Sequence, residues 1–122
     1  MKYLLLICGE EKAWAAMPDD DRQQLMADFR QFSKDIQTSG QYVSGSQLQP
    51  TTSATSVRVR DGKSLVTDGP FAETREQLGG YYLVNVKDLD EAIAVAARIP
   101  SARTGTIEVR PLIEMTVPAA TA

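Results

Sequence analysis

The run Lys2-Tyr-Leu-Leu-Leu-Ile-Cys8 is apolar at both parities. Successive side chains on a strand point to opposite faces, so Tyr3, Leu5 and Ile7 lie on one side and Leu4, Leu6 and Cys8 on the other. A strand with one wet face would alternate apolar and polar residues. This one asks for cover on both sides, and the rest of the chain has to be read as a supply of covers. The run ends in Gly9-Glu10-Glu11 and is too short for the apolar region of a signal peptide. It reads as a first strand and points to a cytoplasmic protein. No segment is long enough to span a membrane.

Two helices supply the first cover. In Pro18–Gly40, proline suits the first helical position, Asp19 to Asp21 favour the positive end of the helix dipole, and Gly40 is a natural stop. Leu25, Phe29, Phe32 and Ile36 recur at helical spacing and form its apolar stripe. In Asp88–Pro100, Asp88 and Glu91 have capping-box spacing, Leu89, Ile93, Ala96 and Ile99 form the stripe, and Pro100 ends the helix. Trp14 falls in the lead-in to the first helix, on a short helical turn.

The remaining segments are extended. Gln41–Pro50 reads as a weak strand with a glycine bulge. Ser56–Thr67 is a hairpin, since Asp61-Gly62 supplies the positive φ angles of a tight turn. Gly80–Val86 is a strand, and Gly105–Met115 alternates around a proline that suits an edge. Without the hairpin, the order strand, helix, strand, strand, helix, strand is that of a ferredoxin-like α+β sandwich: one antiparallel sheet with two helices on one face. At 122 residues the chain fits a single domain, expected to occupy residues 1–115 with 116–122 as a flexible tail.

Two helices cover one sheet face only, which leaves an apolar patch of the kind that usually marks a partner surface. A second copy packed sheet against sheet, a homodimeric α+β barrel, supplies the missing cover; a long loop folded over the face is the competing solution. If the valines of the hairpin and of the last strand face the helices, then Arg58, Glu108 and Arg110 point between the sheets. Tyr81 and Asn85 join them if Tyr82, Val84 and Val86 face the core. Charges there must be paired or reach water. The result is either a polar ligand cleft or an Arg–Glu network that sets the dimer register.

The chemistry is bounded by what is missing. A net charge of −3 offers no Lys/Arg stripe for nucleic acid. The chain has no histidine, which removes Ser-His-Asp and Cys-His catalysis and most zinc and iron ligand sets, so neither a metal nor a cofactor is expected. Cys8, the single cysteine, reads as a small buried hydrophobe. Acid–base work falls to carboxylates, and the segment Thr67-Asp-Gly-Pro-Phe-Ala-Glu-Thr-Arg-Glu-Gln-Leu-Gly-Gly80 carries three of them, Asp68, Glu73 and Glu76. The same segment reads as turn chemistry, with Phe71 anchoring it, Thr74 and Gln77 at the spacing of a one-turn helix, and Gly79-Gly80 launching the next strand.

The stretch Val57–Pro100, with Asp-Gly-Pro-Phe at Asp68–Phe71, and the flanking Lys2–Met17 and Ile107–Leu112 closely resemble the YCII-related, or DGPF-domain, family. The resemblance implies a dimeric α+β barrel. It also implies two functional settings: some relatives are linked to extracytoplasmic-function sigma factors, and shorter ones resemble enzymes with a His–Asp pair, one branch being tied to dehalogenation of a chlorinated hydroxyquinol. This chain has no histidine for that pair, and Asp68 matches only its other half. Residues and resemblance together point to a homodimer that binds a small anionic or aromatic metabolite between its sheets. Arg58 and Arg110 would hold the anion, Tyr81 and Trp14 would pack on the apolar part, and Asp68 or Glu73 would accept a proton if there is chemistry. The alternative is a non-enzymatic accessory protein in sigma-factor regulation.

Overall fold

Strand β1 (Lys2–Gly9) is central in the computed structural model, which describes residues 1–114. It is flanked by β5 (Gln77–Asn85) and β6 (Thr106–Pro111), and β2 (Tyr42–Gln47) lies beyond β5. The order β2-β5-β1-β6 is antiparallel throughout, which is the ferredoxin-like sheet expected from the element order. The tail expected at 116–122 lies outside the described residues.

A short helix α1 (Glu11–Ala16), carrying Trp14, leads into α2 (Asp19–Thr38), and α3 (Leu89–Ala97) connects β5 to β6. Tyr3 and Leu5 of β1 and Tyr82 and Val84 of β5 meet Phe32 and Ile36 of α2 and Ala92, Val95 and Ala96 of α3 in one buried cluster. One parity of the sheet therefore faces both helices. Leu5, Ile36 and Val84 are fully buried, and each such side chain contributes ~1.5–3 kcal/mol relative to exposure. Tyr82 anchors the centre: its ring meets those of Phe32 and Tyr42 edge-on at 5.2 and 6.4 Å, and its hydroxyl shares a 2.6 Å hydrogen bond with Ser33 Oγ. Burial pushes its phenol pKa above 10.0, against the opposing pull of the Ser33 bond.

Local signals account for most element ends. Asp19 to Asp21 fill the first turn of α2, while Pro18, extended at φ −57° and ψ 147°, caps it from outside. Gly40, at φ 78°, lets the chain leave the helix. At α3, Asp88 Oδ1 accepts from Glu91 N–H at 2.9 Å, and the Glu91 carboxylate accepts from Lys87 N–H at 2.6 Å and Gln41 Nε2 at 2.9 Å. These bonds hold the Glu91 carboxyl below its ordinary 4.5.

Several expectations need correction. Ala96, and Ile99 just beyond α3, are buried as expected, but Ala92 and Val95 take the inner places assigned to Leu89 and Ile93, which are half exposed, because the smaller side chains allow close contact there. The bulge in β2 falls at Val43, between Tyr42 and Ser44, and not at the glycine. No helical turn forms at Thr74–Gln77: the Thr74 hydroxyl instead donates to Glu76 O, and Gln77 already belongs to β5. Gly79-Gly80 therefore lies within β5, where the pairing with β1 slips by one residue.

The largest correction concerns the hairpin. Strands β3 (Thr55–Arg60) and β4 (Lys63–Asp68) form a separate two-stranded sheet, joined by the Asp61-Gly62 turn with φ of 52° and 73°. Val57 and Val59 consequently do not face the helices; they are 62% and 59% exposed. Phe71, expected to anchor the following loop, is 82% exposed.

Hydrogen bonds from Glu11 hold the two ends of this excursion to the sheet. Glu11 N–H donates to Gln77 Oε1 at 3.0 Å, and the Glu11 carboxylate accepts from Thr51 N–H and Oγ1 at 2.8 and 2.7 Å. One residue of α1 thus grips the chain where it departs after β2 and where it returns into β5. At the start of β6, Gly105 sits so close to β1 that a Cβ there would lie 2.3 Å from the Cys8 carbonyl oxygen.

Candidate functional site

The second face of the sheet carries the parity that the helices do not use. Register fixes its rows. Ser44, Leu83, Leu4 and Arg110 lie side by side across β2, β5, β1 and β6; Ser46, Tyr81, Leu6 and Glu108 form the next row. Cys8, paired with Leu78 and Thr106, continues the pattern. The face therefore has an apolar middle of Leu4, Leu6, Leu83, Tyr81 and Cys8, mostly half-buried by their own neighbours, and a polar border along β6. On that border Arg110 Nη2 donates to both Glu108 oxygens, at 3.1 and 3.0 Å. The pair is largely exposed, so it contributes little stability on its own.

The border continues into a cleft of about 370 Å³ at one end of the sheet, lined by Glu10, Arg75, Glu76, Thr104, Gly105 and Thr106. Arg75 Nε donates to Glu10 Oε1 at 3.1 Å, and Thr106 Oγ1 to the two Glu76 oxygens at 3.1 and 3.2 Å. Burial first, then the Glu108 and Glu76 carboxylates, raise the Cys8 thiol above its ordinary 9.0. A thiol held protonated is a poor nucleophile, but Cys8 is half-buried and not the fully buried side chain expected. Glu10, Glu76 and Thr106 were not foreseen as neighbours. The available signal was that Glu10 and Glu76 border strands which turn out to be partners.

Of the residues singled out from the sequence, the structure brings Tyr81 and Arg110 onto this face, with Glu108. Asn85 and Cys8 share its parity, and Glu76 lines the cleft at its border, whereas Arg58, Asp68, Glu73 and Trp14 lie elsewhere. Arg58 projects from the hairpin on the side opposite Val57 and Val59, and it pairs with Leu65. Asp68 ends β4, on the same side as Val57 and Val66, and Glu73 is exposed in the loop beyond. Trp14 is half-buried at the corner of α1 and α2, with the Arg22 guanidinium 5.8 Å from its ring centroid. Arg22 is itself held by Met17 O at 3.1 Å and Asp19 Oδ1 at 2.8 Å. Among the described residues, no group of three or more His, Cys, Asp or Glu is placed to hold a metal ion, and no helix is long and apolar enough to cross a membrane.

Two comparisons extend these observations. An uncharacterised protein of Rhizobium meliloti (strain 1021) is 37% identical over 114 residues, covering 92% of each chain. The YCII-related domain matches residues 1–116, nearly the whole chain and all of the sheet described above. The chain belongs to the YCII-related family.

Proposed function

We propose that this protein is a homodimer whose two open sheet faces pack together around a small-molecule site, and that Arg110 and Tyr81 are its main contacts. The observation that carries this reading is the composition of the open face: an apolar middle bordered on one side by Arg110, Glu108 and Thr106. A second copy covers the middle, and the border becomes the wall of a cleft. A guanidinium presents a planar fork suited to a carboxylate or phosphate, and it exchanges its loose contact with Glu108 for a ligand anion at small cost. The Tyr81 ring offers an apolar surface beside it. The ligand class that fits is a small anion with an aromatic or other apolar body.

Chemistry beyond binding rests on Asp68 and Glu73, which in a single chain are exposed carboxylates away from the sheet border. A dimer in which the segment after β4 approaches the other copy is required before either can act as proton acceptor. The binding role is therefore the leading reading, and acid–base chemistry is its extension.

The test is a thermal-shift screen of small carboxylates, phosphates and phenols, run beside sedimentation velocity at micromolar concentration. The expected result is a dimer with ligands whose shift is lost in Arg110→Ala and reduced in Tyr81→Ala. Ligands that bind both variants as well as they bind the parent would remove these residues from the site. An intact dimer that takes no ligand would favour the accessory role instead.

A further inference from the structure

We propose that the groove between α2 and the turn after α3 binds a small zwitterion, a molecule with an ammonium and a carboxylate on one short carbon frame. The groove belongs to the helical layer and shares no residue with the open sheet face, so it is a second site and does not depend on the reading above. Helical spacing builds its first wall. Asp28, Gln31, Phe32 and Asp35 fall at i, i+3, i+4 and i+7 of α2 and share one side of it. Opposite them α3 ends at Ala97, and the chain passes through Ile99 into a short 3-10 turn, Pro100–Arg103. Phe32, Ile99 and Pro100 are buried and form the floor. The groove holds about 470 Å³, within the range of small-molecule sites.

The two walls carry opposite charge and barely touch. On the α2 side each aspartate is steadied by a glutamine one turn earlier: Gln24 Nε2 donates to Asp28 Oδ1 at 2.9 Å, and Gln31 Nε2 to Asp35 Oδ1 at 2.8 Å. The second oxygen of each carboxylate accepts no hydrogen bond among the described residues. The facing wall carries Arg98 and Arg103. The Arg98 guanidinium lies 5.7 Å from the Phe32 ring centroid, and its Nη2 comes only to 4.0 Å from Asp35 Oδ2. Arg103 Nε donates to Pro100 O at 3.4 Å, and among the described residues no carboxylate pairs with Arg103. Two acids and two bases thus face one another with a single loose contact. The packed floor of Phe32, Ile99 and Pro100 keeps the walls from closing into direct pairs.

Charge then selects the ligand class. A simple anion would gain two guanidinium forks but meet two carboxylates, and a simple cation would meet the reverse. A molecule with both charges satisfies both walls and leaves the local charge balanced. Its carbon frame rests on the apolar floor. Free amino acids answer this description, whether the two charges sit on one carbon or at opposite ends of a short chain.

The experiment follows backbone amide shifts of the isotopically labelled parent by NMR while L-leucine, δ-aminovalerate, N-acetyl-L-leucine and L-leucinamide are added separately. At least one of the two zwitterions is expected to shift amides within 28–35 and 97–103. The acetylated and amidated compounds should bind about tenfold more weakly or worse, since each lacks one charge. Either of them binding as tightly as the zwitterions overturns the proposal, and so does the absence of shifts in this region at about 10 mM. Shifts confined to the neighbourhood of Tyr81 and Arg110 place the zwitterion on the sheet face and also overturn it. Asp28→Asn and Arg103→Gln should each weaken binding about tenfold. Unchanged affinity in both variants removes the charged walls from the site, and the mapping on the parent stands whether or not a variant folds.

Discussion

Replacing Gly105 with alanine tests the tightest backbone approach in the sheet. A Cβ built at this position lies 2.3 Å from the Cys8 carbonyl oxygen and 3.3 Å from Gly9 Cα, while real Cβ atoms essentially never approach within 3.0 Å. The obstacle is main chain, so no rotamer change relieves it. The first residues of β6 must move away from β1 by about 0.7 Å, and that movement strains the pairing of Cys8 with Thr106. Overpacking of this kind costs ~1–3 kcal/mol. For a chain of this length each kcal/mol lowers Tm by roughly 3–6 °C, so a drop of roughly 3–18 °C is expected. Gly9→Ala is the control, because nothing lies within 4 Å of its Cβ and its φ is not positive. It should match the parent or gain slightly through reduced freedom of the unfolded chain. Urea unfolding of both variants, with thermal melts in parallel, is the assay. If Gly105→Ala stays within ~0.5 kcal/mol of the parent, the approach of β6 to β1 is not as tight as described.

Two pH effects follow from named contacts. The Glu91 carboxyl is held below 4.5 by the Lys87 amide and Gln41, so its contribution is present above pH 4.5 and is lost as pH falls through its lower folded value. Urea midpoints measured between about pH 6 and pH 3 should therefore fall less steeply in Glu91→Gln than in the parent, and parallel curves would reject the assignment. The Cys8 thiol is raised above 9.0, so the rate of alkylation by iodoacetamide should reach half its maximum above pH 9.0, and Glu108→Gln should bring that midpoint down. A midpoint below 9.0 in the parent would contradict the environment described.

The parts of the fold legible in the sequence are those decided locally. Asp61-Gly62 makes its turn because two positive φ angles are required there whatever surrounds it. The stripe of α2 and the cap of α3 were readable for the same reason: spacing and side-chain reach lie within a few residues. Half of the α3 stripe is legible, Ala96 and Ile99; Leu89 and Ile93 outweigh Ala92 and Val95 in hydrophobicity, although it is the smaller Ala92 and Val95 that turn inward. The valines of β3 alternate like any sheet strand, and alternation does not say which sheet a strand joins. That choice depends on partners distant in sequence. The candidate site divides along the same line. Parity placed Tyr81, Glu108 and Arg110 on one face once Tyr82 and Val84 turned inward. Arg58, Asp68 and Trp14 needed the position of whole segments relative to one another, and the Glu10–Arg75 and Thr106–Glu76 contacts join residues 65 and 30 positions apart.

The double grip of Glu11, on Thr51 by its carboxylate and on Gln77 by its amide, works as a buckle. Whatever lies inside the loop it closes can change in length or content while the sheet registers outside stay in place, since lengthening a closed loop adds only slowly to its entropic cost. The segment between Thr51 and Gln77 is thus an exchangeable module on a constant frame. A graft of foreign sequence between the two clasped points should leave the ferredoxin-like sheet folded.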